Sequence, residues 1–158
     1  MSKQLPATKL TANDATAKEE LGRLRFEGAK VYKYVRAEDA ALAIGQVVEY
    51  SDTSGYEVTN DRAGGASIGR VVAGVAIGAI TDAYYGWIQV HGRNVDVITD
   101  GSVTAGQALV PHATADGQAD SVESGSTAVN TEAQVFGYAL AADGATTTSR
   151  VVAEIRCL

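Results

Sequence analysis

Residues 42–48 read LAIGQVV, and residues 103–109 read VTAGQAL. Each has apolar residues, a Gly-Gln pair and the start of a strand. The two pairs, Gly45-Gln46 and Gly106-Gln107, stand 61 residues apart. Further matches follow in the same order. Residues 52–56 (DTSGY) align with 114–118 (TADGQ) as turn-forming hairpin tips. Residues 74–77 (GVAI) align with 137–140 (GYAL), 63 apart, and residues 87–91 (WIQVH) with 151–155 (VVAEI). A nearly constant offset over several segments marks a duplicated β unit. The reading is a mainly β chain: two related halves, about 26–92 and 93–158, form one β-sandwich or barrel-like body.

The local patterns agree. Residues 30–36 (KVYKYVR) are rich in β-formers. Residues 45–50 and 55–59 flank the SDTS turn as a hairpin. Residues 67–80 show no alternation, as expected of strand buried on both faces. Residues 87–91 alternate, with Ile88 and Val90 on one side and Trp87, Gln89 and His91 on the other. Gly86 and Gly92 read as turns at either end, with residues 94–98 as the next strand. The second half carries Val151 and Ile155 in place of Trp87 and His91, so the shared role of this strand is structural. Trp87, Gln89 and His91, with Tyr84 and Tyr85 beside them, suit a half-wet face or an oligomer interface.

Ahead of the body, residues 1–25 read as an arm. Residues 11–24 (TANDATAKEELGRL) predict a short helix capped by Asn13 or Asp14. Its apolar face, Ala17, Leu21 and Leu24, is thin, and such a helix needs a surface to pack on. That surface is either the chain's own body or another protein.

The chain has 158 residues, enough to bury a sizeable core, with 17 Gly and only 2 Pro. Its net charge of −6 is unevenly placed. Residues 1–40 hold eight Lys/Arg and six Asp/Glu, whereas residues 41–158 hold five Arg and thirteen Asp/Glu. An acidic body argues against nucleic-acid binding, which needs a basic footprint. The most apolar window, residues 71–80, is too short to span a bilayer. The single Cys157 cannot form an intrachain disulfide. The first ten residues lack the apolar core of a signal peptide, which predicts a soluble protein made in a cytoplasm.

Little in the pattern points to catalysis or to a cofactor. The only His residues, His91 and His112, have no nucleophile at recognisable spacing, and Cys157 sits near a chain end expected to be mobile. Two distant His and one Cys do not make a zinc site. Asp96 and Asp100-Gly101 read as a strand and turn before they read as a calcium loop. Residues 64–70 (GGASIGR) lack the Lys-Ser/Thr of a phosphate loop. The Ser/Thr-rich segments 120–131 and 143–149 read as solvated loops, or as display tips for a receptor or glycan.

The order of these segments is a KVYKYV strand, a Gly-Gln hairpin, a Gly-Val-Ala strand, Tyr-Gly-Trp-Ile-Gln-Val, a second Ala-Gly-Gln hairpin and a Gly-Tyr-Ala strand. Over residues 26–158 this resembles the capsid decoration (cement) proteins of tailed bacteriophages. The resemblance implies a non-enzymatic virion protein that binds the outside of an icosahedral shell and stabilises its expanded form. It implies a homotrimer and a major capsid protein as partner, with no cofactor, nucleic acid or membrane. The arm would dock on the shell through Lys3, Leu5, Lys9, Leu10, Leu21, Leu24 and Arg25. Tyr84, Tyr85, Trp87, Gln89 and His91 would form the oligomer interface. Related textures occur in phage head-fibre proteins.

Overall fold

The computed structural model describes residues 8–62, 71–122, 134–143 and 149–157. Ten strands follow one another: β1 (Leu24–Glu27), β2 (Lys30–Ala37), β3 (Val47–Tyr50), β4 (Glu57–Thr59), β5 (Val72–Ala76), β6 (Tyr85–Thr99), β7 (Ala108–Pro111), β8 (Ala119–Ser121), β9 (Gly137–Ala139) and β10 (Ser149–Arg156). The mainly β, barrel-like body expected from the repeat is present.

The pairings form two rings. In ring 1, β2 pairs with β4, β4 with β3, β3 with β5, β5 with β6, and β6 returns to β2. In ring 2, β6 pairs with β8, β8 with β7, β7 with β9, β9 with β10, and β10 returns to β6. Each ring has one parallel link, β2–β4 or β6–β8, and four antiparallel ones. The 15-residue β6 serves both. Its first part faces β2 and β5, and its second part takes the place in ring 2 that β2 holds in ring 1. It therefore runs across the boundary at residues 92–93. Gly92 is not a turn between two strands. It lies inside β6 at φ 91°, where a Cβ would stand 2.5 Å from the Ala29 carbonyl oxygen.

The repeat is reproduced bond by bond. Gly45 and Gly106 both have φ 87°. The Gly45 N–H donates to Ala76 O and the Gly106 N–H to Ala139 O, each at 2.8 Å. The Gln46 and Gln107 side chains each accept the amide of the residue three earlier, Ala43 or Thr104, at 2.7 Å. The Gly-Gln pair is thus a turn closed by its own glutamine, and it anchors β3 to β5 and β7 to β9.

Each ring has its own core. Val35, Val48, Val58, Ala76, Ile88 and Val90 are buried in ring 1. Val97, Leu109, Ala119, Ala139, Ala153 and Ile155 hold the equivalent places in ring 2. Val47, Val72 and Val75 of ring 1 point the other way and join the core of ring 2. That is why β5 is buried at all five residues and shows no alternation. Full burial of each such Val or Leu contributes roughly 1.5–3 kcal/mol.

Two more sequence expectations fail here. Residues 11–24 form no helix; they are turns and an isolated bridge until β1 begins at Leu24. The chain's amides bond to ring 1 in place of one another. Asp14 and Tyr85 exchange two backbone bonds, Lys18 N–H donates to the Tyr34 hydroxyl, and Gly22 N–H donates to Tyr34 O. These bonds outcompete a helix whose apolar face is too thin to pack. The second failure is one of register. Val75 pairs with Gln89, and its equivalent Tyr138 pairs with Glu154. Trp87 therefore corresponds to Val152, not Val151, and His91 to Arg156. A one-residue slip in a strand exchanges its two faces.

Candidate functional site

Side chains on β2 and β6 that point out of ring 1 form an aromatic cluster. The Tyr34 and Trp87 rings meet edge to face at 5.1 Å, and Tyr34 stacks with Tyr85 at 6.4 Å. Residues 8–23 lie over this cluster as an extended strap, with Leu10, Ala12 and Leu21 packed against it. Gly86 permits the approach, since a Cβ there would meet the Ala12 carbonyl oxygen at 2.8 Å.

A polar chain fixes the strap. Trp87 Nε1–H donates to Thr8 Oγ1 at 2.9 Å. The Thr8 amide and hydroxyl donate to Glu19 Oε1 at 3.0 and 3.2 Å, and Arg23 pairs with Glu19 Oε2 at 2.8 Å. Asn13 and Thr81 exchange two further bonds. Burial pushes the Tyr34 hydroxyl above its ordinary pKa, opposed by the Lys18 amide that it accepts.

These contacts place the sequence candidates. Lys3 and Leu5 lie outside the described residues. Leu10 and Leu21 face the chain's own cluster, while Lys9 is exposed. Leu24 and Arg25 belong to β1, where Leu24 is exposed and Arg25 donates to Thr8 O. Trp87 and Gln89 are buried within this one chain, at 0% and 2% exposure. Of the interface candidates, Tyr84, Tyr85 and His91 keep some surface.

The buried Gln89 has a structural use. Its Nε2 donates to the carbonyls of His91 and Gly92, and its Oε1 accepts from Asn94. It supports the backbone where β6 passes through Gly92. A cleft of about 250 Å³ opens above it between Leu10, Tyr32, Ile44 and Ile77. Asn94 Oδ1 in turn accepts the Asp96 amide. The polar floor of the cleft is thus already engaged with itself.

The outer face of ring 2 is different. Arg150, Val152, Glu154 and Arg156 alternate with the core residues Val151, Ala153 and Ile155. Tyr138 and Arg93 stand opposite Glu154 on either side, and Arg156 lies over the Tyr138 ring at 5.4 Å. Tyr138 and Leu140 are 41% and 49% exposed. Arg93, Arg150 and Arg156 are all exposed. The face carries no motif. Its one signal in the sequence is the period-2 alternation of residues 150–156, legible once the register of the repeat is right.

Groups with chemical potential lie elsewhere. His112 Nδ1 accepts the amides of Thr114 and Ala115 at 3.1 and 2.8 Å. A neutral ring bonded so carries its proton on Nε2 and is a donor there. Asp100 and Asp120 sit beside it, each with an oxygen within 4.8 Å of the imidazole. In that tautomer the imidazole can donate from Nε2 to a neighbouring carboxylate. Cys157 is not mobile: its amide bonds to Val90 O and its side chain packs between the two cores. Burial pushes its thiol up to about 12, so it is no thiolate at neutral pH. The glycine-rich residues 64–70 and most of the Ser/Thr-rich segments lie outside the described residues. No helix among the described residues is long and apolar enough to cross a membrane.

No family model matches the chain, and no curated protein matches it. Among solved structures, it is similar to the N base of the head fibre protein gp8.5 of bacteriophage phi29. The two share their fold. The TM-score is 0.51 at 16% identity, over 80% of this chain and 93% of the fibre base.

Proposed function

We propose that this chain is a structural protein of a tailed-phage head, bound to the outer surface of the shell and acting without catalysis. The observation that carries the reading is the fold shared with a phage head fibre base along nearly all of that base. The duplicated, glycine-turned body supports it, because such a scaffold presents large β faces to partners.

The mechanism is thermodynamic linkage. A ligand that binds only the expanded, assembled lattice stabilises that lattice by its binding free energy. Many copies bridging neighbouring capsomers make weak single contacts sufficient. Three copies around a local three-fold position belong to this reading, with Tyr84, Tyr85 and His91 as the sequence candidates that keep surface. So does contact of the extreme N-terminal residues, Lys3 and Leu5 among them, with the major capsid protein.

A second reading is favoured by the neighbour's being a fibre base. The chain would then anchor or display a module that meets a receptor or glycan. Co-sedimentation with undecorated, expanded shells tests the first reading. Saturable pelleting at a fixed copy number per shell is expected; protein that stays in the supernatant at every concentration contradicts it. A glycan-array signal without shell binding would favour the second.

A further inference from the structure

Ring 1 and ring 2 offer equivalent outer faces, and among the described residues only the first is covered by the chain itself. The strap meets ring 1 at Tyr85, where it exchanges two backbone hydrogen bonds with Asp14. The position equivalent to Tyr85 is Arg150, because Tyr85 pairs with Arg36 in ring 1 as Arg150 pairs with Ile98 in ring 2. Trp87 is matched by Val152, Gln89 by Glu154, and Ile77 by Leu140. The residues under the strap are mainly aromatic and apolar; those on ring 2 are apolar residues set among arginines and one acid, Glu154.

Charge identifies what fits there. Residues 41–158 hold five arginines against thirteen acids, and three of the five, Arg93, Arg150 and Arg156, lie on this face. Of the other two, Arg62 is buried with Glu49 at 2.5 Å, and Arg70 lies outside the described residues. The face carries three arginines to one acid, Glu154, which stands between Arg93 and Tyr138. Arg150 is bonded to the carbonyls of Ile44 and Asp96, which leaves Arg93 and Arg156 as the cations beside Tyr138, Leu140 and Val152. Exposed aromatic and arginine side chains around an apolar centre are the composition of a protein-binding patch.

We propose that the outer face of ring 2 docks an extended, acidic segment of a partner protein, in the way that the strap covers the equivalent face of ring 1. The inference rests on the reading above, in which that partner is the shell protein. Arginines recognise carboxylates by paired N–H donors, and Tyr138 and Leu140 take the segment's apolar side chains.

The test is co-sedimentation of the full chain with expanded shells, at low and high salt. It compares wild type, Arg93→Glu/Arg156→Glu, and Lys9→Glu/Lys18→Glu, an equal charge change on the strap. All four side chains are exposed, but Arg93→Glu sets a like charge opposite Glu154, so binding is compared well below the melting transition of each variant. The inference expects the arginine pair to weaken binding roughly tenfold or more and to flatten its salt dependence, with the lysine pair near wild type. Equal binding by wild type and the arginine variant overturns the inference and leaves the reading standing. So does loss confined to the lysine variant, which would make the strap the docking element. Failure of wild type to bind shells removes the reading and the inference with it.

Discussion

The outer faces of the two rings use equivalent strands and carry opposite chemistry. Tyr34 and Trp87 on ring 1 are sealed by residues 8–23, with Tyr85 half-buried beside them and the Trp87 indole bonded to Thr8. Arg150, Val152 and Glu154 hold the equivalent strand positions on ring 2 and meet solvent. A duplicated scaffold can thus keep one set of turns and cores while its two surfaces diverge. What is common to both halves, the Gly-Gln turn and the glycine where strands approach closely, belongs to the fold. What differs, the aromatic cluster and the arginine-bearing face, is particular to each half.

The sharpest way to break this contrast is at Trp87 and Val152. Trp87→Ala should cost about 3–5 kcal/mol, because it empties a fully buried site beneath the strap. Val152→Ala, on the half-buried counterpart, should cost less than about 1 kcal/mol. Urea denaturation of the two variants measures both, and similar losses would show that the faces are not distinguished by burial.

The shared features should respond alike. A Cβ on Gly74 would meet the Gln89 carbonyl oxygen at 2.4 Å, and one on Gly137 the Glu154 oxygen at 2.3 Å. Gly74→Ala and Gly137→Ala should each cost roughly 1–3 kcal/mol, as strands are forced apart. A large loss at one site and none at the other would contradict equivalence of the rings.

Smaller effects refine the picture. Thr8→Ala removes the acceptor of the Trp87 indole and should cost about 1 kcal/mol, with a shift in Trp emission as the strap loosens. Asp39 has φ 66° after β2, where β6 is followed by Gly101 at φ 96°. Asp39→Gly should gain up to about 1 kcal/mol by relieving the left-handed backbone, read as a small rise in melting temperature.

Much of this architecture was legible because turn chemistry is local. Gly45-Gln46 and Gly106-Gln107 mark the same turn twice, and the offset between them reveals the duplication. The alternation of Ile88 and Val90 with Trp87 and Gln89 identified the core side of β6. Gly92 misled, because a glycine within a strand and a glycine at its end read the same when the close approach of Ala29 is not visible. The strap misled for a related reason. Its amides find partners on Tyr34 and Tyr85, more than 10 residues away, and no local propensity encodes that. The register of β10 was missed because the connection leading into it is two residues longer than its counterpart. With that slip, the outward row of Arg150, Glu154 and Arg156 went unseen, although its period was present in the sequence.

The proposed decoration of a phage head from outside is tested most directly by imaging shells incubated with this protein by electron cryomicroscopy. The account predicts added density at regular lattice positions, with the outer face of ring 2 in contact with the shell. Shells identical to the untreated ones, with a folded protein left free in solution, would contradict it.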